Sequence, residues 1–203
     1  MSAGASGGAP AAVPGPAAAG SPAATGTEPW LVVVDPQRIF AEPSSPWASP
    51  MFDGIVGSVR RLAERFAGRV VVTRFVAPPQ PRGSWVPYYR EWPFAQVPAD
   101  DPLYAVVDPL ADLGAPVVTA TTFGKWPALA EVTGPEPHLV LTGVATDCCV
   151  LATALPAADA GATLRVVADA CAGSAPENHA RALAVMALFA PQITLTTSVE
   201  LLG

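Results

Sequence analysis

The chain has 203 residues, of which 51% are hydrophobic and 14% charged, a length and balance that fit one folded domain with a substantial core. Its 17 acidic residues against 11 basic ones leave a net charge of −6. That charge argues against a nucleic-acid partner or an anionic membrane, since either needs a basic face. The longest apolar runs fall far short of the roughly 20 residues that span a bilayer. Cys148, Cys149 and Cys171 are odd in number and two are adjacent. That is no secreted disulfide framework, and reduced thiols in a cytoplasmic protein fit better.

Residues 1–29 are almost all Ala, Gly, Pro, Ser and Thr, with no apolar period and no basic residue. They read as a disordered tail, neither a secretory signal nor a transit peptide. The folded domain is expected over residues 30–203. Trp30 to Val34 is an unbroken apolar run that stops at Asp35-Pro36, as in a strand covered on both faces. A helix is expected from an Asp53 N-cap to a stop at Gly68, with Ile55, Val56, Val59, Leu62, Ala63 and Phe66 on one face. Residues 70–73 read as a second strand. Arg74 to about Asp101 reads as a long, aromatic-rich loop. Strands follow at residues 116–119, 138–143, 164–168 and 193–195. Helices are expected at about 147–160 and 176–189. Strands alternating with helices predict an α/β fold, an open and mainly parallel six-stranded sheet with helices on both faces.

In such sheets, sites form outside the carboxyl ends of the strands. Three groups fall there. Asp35 follows the first strand. Lys125 lies just beyond the third. The turn Gly143-Val144-Ala145-Thr146-Asp147-Cys148-Cys149 leads from the fourth strand into a helix. A helix N-terminus and an ammonium favour a thiolate, a carboxylate can shuttle its proton, and turn N–H groups can hold an oxyanion. Together these suit acyl transfer through a thioester. Each group alone also has an ordinary reading: Asp35 as a strand end, Lys125 as a solvated charge, the cysteine as a small buried residue.

Val32-Val33-Val34-Asp35-Pro36-Gln37 with Phe40 resembles the opening strand of the isochorismatase-like cysteine hydrolases. The block from Gly143 to Val150, its continuation to Gly161 and the run Val166 to Ala170 resemble that superfamily too, as does Phe123-Gly124-Lys125. The resemblance covers about residues 30–200. It implies an Asp35-Lys125-Cys149 triad, with Cys149 chosen over Cys148 because it precedes Val150. It also implies a cis Val144–Ala145 peptide, with the N–H groups of Ala145 and Cys149 facing the oxyanion. A homo-oligomer, dimer or tetramer, is implied as well. Cys149 is then expected to be the low-pKa thiol, with Cys148 facing elsewhere.

Two departures from the family stand out. The segment after the second strand has no histidine, so no nicotinamidase-type metal site and no cofactor is expected. His138 and His179 read as surface or packing residues. Pro156, inside the helix after the nucleophile, should kink or divide it. Trp85, Tyr88, Tyr89, Trp92 and Phe94 form either a pocket wall or a subunit contact. Phe40, Trp85 and Trp126 are the pocket candidates, and Arg74 would sit on the rim. The resulting reading is a metal-free hydrolase of a small amide or carbamoyl C–N bond. The alternatives are an isochorismatase-type vinyl-ether hydrolase acting through Asp35, and a non-catalytic binding protein on the same fold.

Overall fold

The computed structural model describes residues 28–203. The segment read as a disordered tail therefore lies outside the described residues, apart from its last two positions. Six strands form one sheet: β1 Trp30–Val34, β2 Val70–Phe75, β3 Val117–Ala120, β4 His138–Val144, β5 Thr163–Ala172 and β6 Ile193–Thr196. Their spatial order is β3-β2-β1-β4-β5-β6. Every neighbouring pair is parallel. The α/β expectation is met. The order reverses between β1 and β4, which opens a crevice at their carboxyl ends.

The unbroken apolar run of β1 has a direct cause. Successive side chains point to opposite faces of a strand. Leu31 and Val33 enter one core layer, while Val32 and Val34 enter the other. The first layer is closed largely by α2 (Phe52–Arg65), the second by α6 (Leu151–Asp159) and α7 (Pro176–Ala187). In α2, Phe52, Ile55, Val59, Leu62 and Ala63 are buried, the three- and four-residue spacing of one helical face. Its N-cap is Met51, so Asp53 sits in the first turn rather than capping it. There its carboxylate faces the positive end of the helix dipole.

The stretch expected as a long loop is partly helical. It holds α3 (Trp85–Glu91) and a 3₁₀ turn at Pro93–Ala95. Pro87 is compatible with α3 because it lies in the first turn, where backbone N–H groups have no intrahelical acceptor. Four further helices were not anticipated: α1 (Arg38–Ala41), α4 (Asp108–Ala111), α5 (Trp126–Thr133) and α8 (Ser198–Leu202). The last has a capping box between Thr197 and Glu200, a pattern present in the sequence. The helix expected from Asp147 starts instead as a π-helical turn, Thr146–Val150, which runs into α6.

Pro156 does not divide α6, which is continuous through it. Its missing N–H falls opposite the carbonyl of Ala152, four residues earlier. Gly124 approaches that same carbonyl: a Cβ at Gly124 would lie 2.4 Å from the Ala152 oxygen. The proline thus leaves free a carbonyl against which the Lys125 segment packs. A second close approach is at Gly143, where φ is 101° and a Cβ would lie 2.1 Å from the Val34 carbonyl oxygen. At this point β4 also shifts register against β5.

Gly143→Ala should therefore lower the melting temperature by about 6–12 °C, from a clash and backbone strain of roughly 3 kcal/mol. Gly57→Ala, exposed in the middle of α2 and free of backbone clash, should raise it by about 1–4 °C, from roughly 0.5–1 kcal/mol. Thermal unfolding of the two variants beside the parent checks both.

Candidate active site

Asp35 follows β1 directly, with a left-handed φ of 45°, a conformation that a non-glycine residue adopts only when its surroundings hold it there. Those surroundings are explicit. Thr73, on β2, donates its hydroxyl proton to Asp35 Oδ1 at 2.6 Å and accepts from the Asp35 backbone N–H at 3.1 Å. Asp35 Oδ2 faces the ammonium of Lys125 at 2.9 Å, and both side chains are fully buried. Among the described residues Oδ2 accepts no further hydrogen bond.

Lys125 reaches this position because its segment docks on the start of α6. Its backbone N–H donates to Thr153 Oγ1 at 3.0 Å, and Thr153 in turn donates to the Cys149 carbonyl at 2.7 Å. The ammonium also donates to the carbonyls of Thr122 and Phe123, at 2.8 and 2.9 Å. Two hydrogen bonds to carbonyls and the charge of Asp35 thus surround the ammonium, which offsets the hydration it loses on burial. The Phe75 ring lies beneath it, 5.6 Å away.

Cys149 is buried on the π-helical turn, and both Cys148 and Cys149 line one cavity of about 300 Å³. This corrects the expectation that the neighbouring thiols diverge. The thiols interact with each other, and their electrostatics also differ from expectation. Hydrogen bonding with Cys148, then burial and the charge of Asp35, pushes the Cys149 thiol well up, against the opposing pull of Lys125. The same hydrogen bond pushes Cys148 down. At rest Cys149 is a protonated thiol beside a carboxylate, not a free thiolate. Burial favours the neutral form, and the ammonium is already engaged by Asp35.

The Val144–Ala145 peptide is cis. Thr146, fully buried, hydrogen-bonds His179 Nδ1 at 2.8 Å, which ties the turn to α7. His179 thus has a packing role, and burial pushes its imidazole pKa down. Asp147 accepts from the backbone N–H and hydroxyl of Ser174, at 2.8 and 2.6 Å.

Of the pocket candidates, Phe40 lines the cavity. Trp126 does not: it is buried in the core layer shared with Leu129 and Val150 on the other side of the sheet. Trp85 stands behind the wall, packed on Tyr88, Tyr89 and Phe123. Arg74 leans on Thr119, away from the cavity. The aromatic segment contributes Tyr88 and Trp92 to the wall.

Sequence reasoning missed Trp47, Thr73 and Thr153. Trp47 sits at the centre of the wall, with the rings of Phe40, Phe75, Tyr88, Trp92 and Phe94 between 5.1 and 6.2 Å away. It lies in a Pro- and Ser-rich stretch with no periodic signal. Thr73 did carry a signal, as the hydroxyl that closes the apolar run Val70-Val71-Val72. Gln37 was noticed only as part of a motif. Its buried amide bridges the end of β2 and the 3₁₀ turn Pro102–Tyr104, donating to the Phe75 and Tyr104 carbonyls, both at 2.8 Å, and accepting from Phe75 N–H at 2.7 Å.

A family model described as the Isochorismatase domain matches residues 29–197. No curated protein matches the chain in sequence. Several solved structures share its fold. A cysteine hydrolase from Pseudomonas syringae pv. phaseolicola 1448A is 19% identical at a TM-score of 0.73, over 85% of this chain and 90% of that one. N-carbamoylsarcosine amidase from Thermoplasma acidophilum is 24% identical at 0.66, over 85% and 97%. Pyrazinamidase of Pyrococcus horikoshii, in complex with zinc, is 25% identical at 0.65, over 84% and 99%.

A zinc ion needs three or four convergent nitrogen, sulfur or oxygen donors. The cavity wall here offers two thiols but no histidine and no carboxylate. Among the described residues, no group of three or more His, Cys, Asp or Glu side chains is placed to hold a metal. The residues present do not fit that ion. Nor is any helix among them long and apolar enough to cross a membrane. The family match takes in nearly the whole described chain, with Asp35, Lys125 and Cys149 inside it, and the protein belongs to the isochorismatase family.

Proposed function

We propose that the protein is a cysteine hydrolase that cleaves the C–N bond of a small amide through a thioester on Cys149. The observation that carries this reading is the fully buried Asp35–Lys125 pair, set at the sheet edge beside a thiol that opens into a cavity. The likeness to an amidase in fold supports it.

Cys149 keeps its proton at rest, so attack needs a base. Asp35 Oδ2, with no acceptor duty beyond the ion pair, takes the thiol proton as sulfur bonds to the carbonyl carbon. The N–H groups of Ala145 and Cys149 hold the oxyanion. Asp35 then gives the proton to the leaving amine as the C–N bond breaks. Water, deprotonated by the same carboxylate, attacks the thioester. The C–S bond breaks, the acid leaves and the thiol is restored. Lys125 keeps the carboxylate in place and counters the negative charge on sulfur.

Cys149→Ser should lose nearly all activity, since a hydroxyl ionises far less readily than a thiol. Cys148→Ala should keep much of it. That variant also removes the hydrogen bond that holds the Cys149 thiol up. A lowered thiol pKa means a larger thiolate fraction at any pH below it. Alkylation of Cys149 by iodoacetamide should then begin at lower pH than in the parent, where Cys148 reacts first. Peptide mass mapping across a pH series reads both. Full activity in Cys149→Ser would exclude the thioester and favour the vinyl-ether mechanism through Asp35.

Lys125→Met should lower turnover by about 10²-fold or more and destabilise the fold by about 3–5 kcal/mol, because it strands a buried carboxylate. Adding Asp35→Asn should recover much of the stability and none of the activity. Denaturant unfolding beside a turnover assay separates the two effects. Activity should also survive exhaustive chelation. Loss on chelation with recovery by added zinc would overturn the metal-free reading.

A further inference from the structure

The cavity wall is uncharged and rich in aromatic rings. Phe40, Trp47, Phe75, Tyr88, Trp92 and Phe123 line it, and no Arg, Lys, His, Asp or Glu is among the lining residues. Its few polar side chains are largely committed elsewhere. Ser49 donates to the Gly173 carbonyl at 2.6 Å, and Ser174 donates to Asp147 at 2.6 Å. The nearest cation, Lys125, is buried and bound to Asp35 and two carbonyls. A carboxylate or ammonium on the substrate would lose its water here and find no partner, which is costly. An apolar ring would gain contact with six aromatic side chains.

We infer that the site takes an uncharged amide whose acyl group carries a hydrocarbon ring, and that Trp47 is the residue that selects it. This rests on the amide-hydrolase reading above and deepens it. Trp47 holds the role by position, since five other rings pack around its indole. A cavity of about 300 Å³ suits one ring with a short linker to the carbonyl. It lies at the small end of the range for small-molecule sites. One hydroxyl is left to read the substrate. That of Tyr88 has no hydrogen-bond partner among the described residues, and Tyr88 lines the cavity beside the two thiols. Burial above all pushes its phenol pKa up, so it remains a donor.

The test compares kcat/KM for three primary amides: phenylacetamide, acetamide and succinamate, which bears a carboxylate. Phenylacetamide should exceed succinamate by about 100-fold, the scale set by burying a ring against stranding a charge. In Trp47→Ala the ratio of phenylacetamide to acetamide should fall by about 10-fold or more, with partial recovery in Trp47→Phe. Trp92→Arg, which puts a cation on the wall, should raise succinamate relative to phenylacetamide. Equal or better turnover of succinamate by the parent, or an unchanged ratio in a folded Trp47→Ala, would overturn the inference.

Equilibrium binding of phenylacetamide and succinamate to the Cys149→Ser protein is measured alongside, by calorimetry. If no amide is hydrolysed, the hydrolase reading fails, yet binding still decides the pocket. Preference for phenylacetamide, reduced in Trp47→Ala/Cys149→Ser, upholds it; preference for succinamate, or no binding of phenylacetamide, overturns it.

Discussion

The ion pair between Asp35 and Lys125 is the constraint around which the carboxyl edge of the sheet is arranged. Neither side chain touches solvent. Two charges taken out of water carry a desolvation cost of several kcal/mol each, repaid only by good geometry and full hydrogen bonding. The fold supplies the geometry and most of the hydrogen bonds, leaving Asp35 Oδ2 with the ion pair alone. Thr73 fixes one carboxylate oxygen from the adjacent strand, and two carbonyls complete the ammonium's shell. The left-handed backbone of Asp35, the bare Gly124 against Ala152 and the Thr153 hydroxyl all serve to bring these two charges together. An apolar pair of similar volume would stabilise the fold as well or better. Stability alone is thus a weak reason for the retained charge, which suits the proposed proton transfer.

The same burial shapes the Cys149 thiol, the nucleophile of the proposed reaction. A dry environment opposes a thiolate on Cys149, and the ammonium that would favour one is already neutralised by Asp35. A carboxylate with a free acceptor site beside a protonated thiol is the arrangement of base-assisted attack. The adjacent thiol adds to this. A regular α-helix would turn Cys148 and Cys149 about 100° apart. Here both lie on a π-helical turn, both line the cavity, and the thiols interact. Such turns recur at functional sites, where they re-aim side chains without ending the helix.

The aromatic cavity wall draws on segments far apart in sequence: the loop around Trp47, the end of β2, α3 and its flank, and the loop before Lys125. Packing of rings at offset and edge-on angles holds it together.

The sequence by itself determined the sheet, because strands buried on both faces carry continuous apolar runs, as β1, the Val70–Val72 start of β2 and the Leu139–Leu141 centre of β4 do. It also placed Asp35, Lys125 and the cysteine turn at strand ends, since a parallel sheet gathers its carboxyl ends along one edge. Short helices escaped because four or five residues carry no periodic signal, and α3 was hidden by a proline that its first turn tolerates. What only the tertiary structure decided was which side chains meet. Trp126, beside Lys125 in the chain, turns into the opposite core layer, while Trp47, 78 residues from Lys125, becomes the centre of the cavity wall. The thiols' protonation was likewise decided there. Spacing shows that a thiol lies near an ammonium, but not that a carboxylate has already claimed that ammonium's charge in a place without water.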